Sequence, residues 1–253
     1  WAVTPDPWVR AEVLAAHDAA VDAALTWFEN HGALTRRGHD GVQQVDARGI
    51  TAALFRQHTS RTVDPQLHTH ALISAKVQEP SGRWLALDAR FLKYQQRTIG
   101  WIYDAALRTE LTSRLGVEWG EIRGGQADLL EIPLEVREAF SQRSAQVRIK
   151  RDELVSRWSV EHEGAQPDAS TIVQTIAQLE RRAVLASRPA KEHGTEAADL
   201  HRLWTRQAVD LGLDLERLWE PALRRGARVP PFPDIAELVD LVIARVSEES
   251  STW

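Results

Sequence analysis

The 253-residue sequence has no cysteine, no methionine and only two tyrosines. It also lacks any apolar run near the ~20 residues that a membrane helix needs. Without cysteine there is no disulfide framework, no thiolate metal site and no cysteine nucleophile. No membrane segment and no signal peptide is read, so a cytoplasmic protein is expected. The lack of methionine extends to position 1, and Trp1-Ala2-Val3 reads like the end of an apolar strand. The expectation is a fragment missing an N-terminal part. No Gly-rich phosphate loop of the G-x-x-x-x-G-K-[ST] kind occurs, which excludes an ATPase in this segment.

What is present is ordinary globular material, 43% hydrophobic and 26% charged, long enough for a sizeable core. The net charge of −5 speaks against a surface that binds nucleic acid everywhere, but the charge is unevenly spread. Between residues 33 and 61 five arginines (Arg36, Arg37, Arg48, Arg56, Arg61) face only Asp40 and Asp46, a balance of +3. From residue 191 to the end, 8 basic against 12 acidic residues give −4. Positive charge therefore gathers beside the most distinctive motif.

That motif is His58-Thr59-Ser60-Arg61-Thr62-Val63-Asp64-Pro65-Gln66-Leu67-His68-Thr69-His70, followed by apolar residues. His68 and His70 are two apart on a predicted strand, so both rings leave the same face. Asp64-Pro65 marks a turn that sends the chain back antiparallel and can bring His58 near the pair. Neutral imidazoles suit zinc, manganese and nickel, and three of them with open positions make a catalytic kind of centre. The plain alternative is a surface His-x-His pair with no ligand.

The rest of the chain gives the frame. Asp6-Pro7 starts a helix running to about Asn30 and stopped by Gly32, with His17 packed on its apolar face. Residues 33–37 and 42–46 read as a hairpin, 50–58, 67–77 and 84–87 as further strands. Together these predict an antiparallel meander with the histidines on central strands. Residues 89–115 read as a helix ending at Gly116, and 117–122 with 128–132 as a second hairpin. Helices are predicted over 134–161, 168–187, 196–211 and 233–248, with a Pro-rich linker at 229–233. Strands followed by helices without βαβ alternation define an α+β fold, an antiparallel sheet flanked by helices with a largely helical C-terminal half.

The string Thr59-Ser60-Arg61-x-x-Asp64-Pro65-Gln66-Leu67-His68-Thr69-His70-Ala71-Leu72 resembles the three-histidine motif of conjugative relaxases of the TrwC/TraI (MobF) type, within the HUH endonucleases. Gly82-Arg83-Trp84, Leu87-Asp88, residues 107–111, 115–117, 139–143 and 188–192 extend the resemblance over nearly the whole chain. It implies an antiparallel sheet bearing the histidines and a tyrosine transesterification that nicks one strand of plasmid DNA at the origin of transfer. It further implies His58, His68 and His70 as ligands of a divalent ion (Mg, Mn or Zn), and Arg61 positioning the phosphate. Arg56, Arg61 and Lys76 become candidate DNA contacts, and single-stranded plasmid DNA, relaxosome and coupling proteins the partners.

Two departures matter. The family's first histidine sits one residue earlier, where this chain has Gln57, and a one-residue step on a strand flips a side chain to the other face. Either a local bulge turns His58 back, or Gln57 takes the position. The family's tyrosines lie in an N-terminal region with no counterpart here, while Tyr94 and Tyr103 match no motif and are read as structural. The expected organisation is a relaxase domain over 1–225 lacking its tyrosine-bearing part, then a linker and helix over 226–253 leading toward a helicase region. Such a piece should bind metal and not nick. The competing readings are a decayed or noncatalytic single-stranded-DNA-binding module and an unrelated His-x-His metal hydrolase.

Overall fold

The computed structural model describes residues 1–130, 132–162, 168–189 and 197–215. The predicted linker, the helix over 233–248, the break at 164–167 and His193 lie outside the described residues.

Helix α1 (Pro7–His31) begins as its sequence dictates, with the Asp6 carboxylate accepting from Trp8 N at 2.9 Å and Pro7 in the first turn. It ends at Gly32, where a Cβ would lie 2.5 Å from the Phe28 ring. Helix α2 (Ala89–Leu115) is capped by Asp88, which accepts from Arg90 N, and closes on Gly116 at φ 67°, a left-handed position that glycine takes without strain. The two helices run antiparallel, because Glu12 pairs with Arg114 at 3.0 Å while His17, further along α1, meets Tyr103 earlier in α2. Val9, Ala16, Leu111, Leu115 and Val117 form the buried core between them.

The β structure differs from a single meander. Strands β1 (Leu34–Arg37) and β2 (Gln43–Asp46) form one ribbon, β3 (Ala52–Thr59) and β4 (Pro65–Ile73) a second, and β5 (Lys76–Gln78) and β6 (Trp84–Ala86) a third. The predicted strand over 67–77 breaks because Ser74 Oγ accepts from Lys76 N and its own N–H donates to Thr51 O, turning the chain. The bridge Thr35↔Leu87 and the Thr35 hydroxyl bond to Ala86 O join the first and third ribbons at their edges. The hairpin expected over 117–132 reduces to isolated bridges at Trp119↔Leu129 and Arg123↔Gln126.

The C-terminal half is helical: α3 (Leu134–Ala139), α4 (Gln142–Glu161), α5 (Ala169–Ala186) and α6 (Ala197–Asp210). One helix was expected over 134–161; it is interrupted at Phe140-Ser141. The cause is a distant carboxylate. Asp64, 5% exposed, accepts from Arg143 N at 2.9 Å and so caps α4 from another part of the chain. Leu154, Leu179 and Ala183 join α4 to α5, whereas α6 packs Leu200, Trp204 and Ala208 on Ala2 and Val3.

Candidate functional site

The second ribbon carries the histidines. Its ladder pairs Phe55 with His70, Arg56 with Thr69 and Gln57 with His68. Directly opposed residues project from one face and their neighbours from the other. Phe55, Gln57, His68 and His70 therefore share a face. Arg56 and Thr69 look the other way, toward α1: Arg56 is ion-paired with Asp18, and Thr69 Oγ1 lies 2.7 Å from His17 Nε2.

The His68 and His70 ring centroids are 5.0 Å apart with planes at 78°. Two imidazoles sharing a tetrahedral ion at ~2.0–2.1 Å have centroids about 5 Å apart, so this separation suits a common cation. His68 Nδ1 is 3.0 Å from the Gln66 carbonyl, which makes that nitrogen the donor and leaves Nε2 with its lone pair free. A ligating histidine held through its second nitrogen is the usual arrangement at metal centres. The pair fits a metal; a third protein ligand of the usual kind is not beside it. Among the described residues, no three His, Cys, Asp or Glu side chains are grouped to hold an ion.

His58 falls where the register changes, between Gln57 and Thr59. Its ring stands 5.6 Å from that of Trp1, and burial, then the Arg56 and His68 charges, lowers its pKa below 6.5. Asp64, read from the sequence as a turn former, hydrogen-bonds no histidine among the described residues. It accepts from Thr62 Oγ1 at 2.8 Å and Ser60 Oγ at 3.1 Å, which shape the turn, and from Arg143 N. Arg61 stands in that turn, half-exposed and without an ion-pair or hydrogen-bond partner among the described residues. Lys76 is exposed on β5.

Sequence reading missed the support beneath the pair. His17, 2% exposed, bonds Tyr103 Oη through Nδ1 at 2.8 Å and Thr69 through Nε2. The strand alternation held the clue, since Thr69 between two outward histidines must point inward. Burial lowers the His17 pKa below 6.5; burial, then the Asp104 charge, pushes Tyr103 up to about 12. Well above pH 6.5 both folded and unfolded His17 are neutral. As pH falls below that value, the unfolded chain binds a proton that the fold resists, so stability drops until the folded ring protonates too. His58 has the same sign. We expect the urea midpoint to fall between pH 7 and pH 5, and the fall to shrink in His17→Gln. Asp88, held down to about 2 by Arg90 and Arg36, stabilises the fold throughout this range and loses that contribution only in stronger acid, below pH 3.8.

An antiparallel ribbon presenting a histidine pair, backed by a helix pair, makes an α+β frame. The comparisons define the class: residues 1–211 match the family model of the TrwC relaxase, and the chain belongs to that family. Among curated relatives, the multifunctional conjugation protein TraI of Escherichia coli is 28% identical over 251 residues, 92% of this chain. The chain spans 13% of that relative's length. A solved structure of conjugative relaxase TrwC with a mutant OriT DNA is 30% identical and superposes with a TM-score of 0.64, covering 81% of this chain and 68% of that one. A copper-bound TrwC–OriT complex is 28% identical with a TM-score of 0.62, covering 81% and 64%. No helix among the described residues is long and apolar enough to cross a membrane.

Proposed function

We propose that this chain is the phosphate-handling part of a conjugative relaxase that nicks one strand of plasmid DNA at an origin of transfer, in the cytoplasm. The observation that carries the reading is the His68–His70 pair on one face of the ribbon, with His68 Nε2 left free, on a chain of the TrwC family. Residues 1–225 form the relaxase unit in this reading. Relaxosome and coupling proteins are the partners it implies.

A divalent ion held there (Mg, Mn or Zn) would polarise the scissile phosphate and offset the charge that builds on its non-bridging oxygens. His68 and His70 hold it. Arg61, in the turn that leads into the histidine strand and without an ion-pair partner among the described residues, offers a guanidinium to the phosphate, and Lys76 adds a cation on β5. Arg56 is a weaker candidate because its guanidinium is ion-paired with Asp18. Tyr94 lies on α2, away from the histidine ribbon in sequence, and the Tyr103 hydroxyl is bonded to His17 on the helix side. In this reading both are structural and neither is the attacking group.

The test is binding and cleavage of fluorescent single-stranded oligonucleotides with Mn²⁺. Single strands should bind in preference to duplex, and Arg61→Ala should weaken binding uniformly across sequences and lower the salt slope by about one phosphate contact. No covalent protein–DNA adduct should survive denaturing electrophoresis. An adduct abolished by Tyr94→Phe or Tyr103→Phe would overturn the tyrosine assignment. Binding indifferent to Mn²⁺ would favour a noncatalytic single-stranded-DNA module.

A further inference from the structure

We infer that Gln57, and not His58, completes the site beside His68 and His70, giving a centre of two imidazoles and one amide oxygen. This rests on the reading of His68 and His70 as metal ligands.

The ladder is the first argument. Gln57 is paired directly with His68, which puts its side chain on the face of both histidines. His58 would regain that face only if β3 carried an extra residue. The irregularity lies on the other strand: from the Gln57↔His68 pair to the Thr59↔Pro65 pair, β3 advances two residues and β4 three. The alternation of β3 is unbroken, so His58 follows Arg56 to the opposite side.

The surroundings of the two side chains agree. His58 lies against Trp1, which lines an apolar cavity of about 270 Å³ with Leu67, His17 and Tyr103. That is the helix side of the ribbon. Gln57 is half-buried, and its amide makes no hydrogen bond to protein among the described residues. Its oxygen is therefore free to turn to a cation shared with the histidines.

Amide oxygen is a harder and weaker donor than imidazole. Replacing one nitrogen by it lowers the affinity for zinc and shifts preference toward manganese and magnesium, which favour oxygen. The chain therefore carries a weak, oxygen-tolerant centre.

Calorimetric titration of Zn²⁺ into the whole chain and its variants tests this, with circular dichroism confirming that each variant is folded. Gln57→His should tighten Zn²⁺ binding by about tenfold or more, at least the change that altering a supporting residue brings. His58→Ala and His58→Gln should leave binding unchanged. Binding lost in both His58 variants and not gained in Gln57→His overturns the assignment while leaving the histidine pair intact. Undiminished binding in the His68→Ala/His70→Ala double variant overturns the underlying site instead. So does the absence of Zn²⁺ binding in both the parent chain and Gln57→His.

Discussion

Trp204→Ala should destabilise the chain by about 3–5 kcal/mol, the range for emptying a buried aromatic site. Trp204 is 2% exposed and sits among Ala2, Val3, Leu200 and Ala208, with Val63 and Phe140 alongside. Its ring meets Trp1 edge-on at 5.5 Å. Its indole N–H donates to the Val63 carbonyl at 2.7 Å. Val63 has φ 65°, a left-handed conformation that a β-branched residue adopts only under constraint, costing about 1–3 kcal/mol. Helix α6 thus holds the turn that carries Arg61 and leads into the histidine strand. Trp204→Phe keeps most of the packing and loses only the donor, so it should cost about 1 kcal/mol for the bond plus a small packing term. Urea unfolding reads both values. A Trp204→Ala loss below about 1 kcal/mol would contradict the clamp. Val63→Gly, which relieves the backbone, separates the two contributions.

His17→Ala should have the next largest effect, about 2–4 kcal/mol, because two half-buried hydroxyls lose their partner together with the packing of the buried ring. Tyr103 belongs to α2 and Thr69 to β4, so this one side chain ties the helix pair to the ribbon. The consequence is local as well as global. Hydrogen exchange should quicken most at the β4 amides around Thr69 if His17 anchors that strand. A uniform change over all elements, tracking global stability alone, would refute the anchoring role.

Much of the architecture was legible because it follows from neighbours in sequence. Asp6-Pro7, Gly32, Asp88 and Gly116 set the ends of α1 and α2 by capping, which a few residues decide. Alternation gave the first hairpin, the strand bearing His68 and His70, and the α+β class. His17 was recognisable as a packed helix histidine from its place on an apolar face.

The class, the helix ends and the outward histidine pair thus follow from residues close together in the chain. The tertiary structure decided the rest. It split the expected meander into three ribbons, since Ser74 turns the chain and β5 pairs with β6. It divided the helix over 134–161, because Asp64, remote in sequence, caps α4 at Arg143. It set Gln57 opposite His68, because strand register is fixed by the turn and by an extra residue in the partner strand. Each of these is a pairing between distant segments, and no local pattern records which partner a backbone or side-chain group will meet.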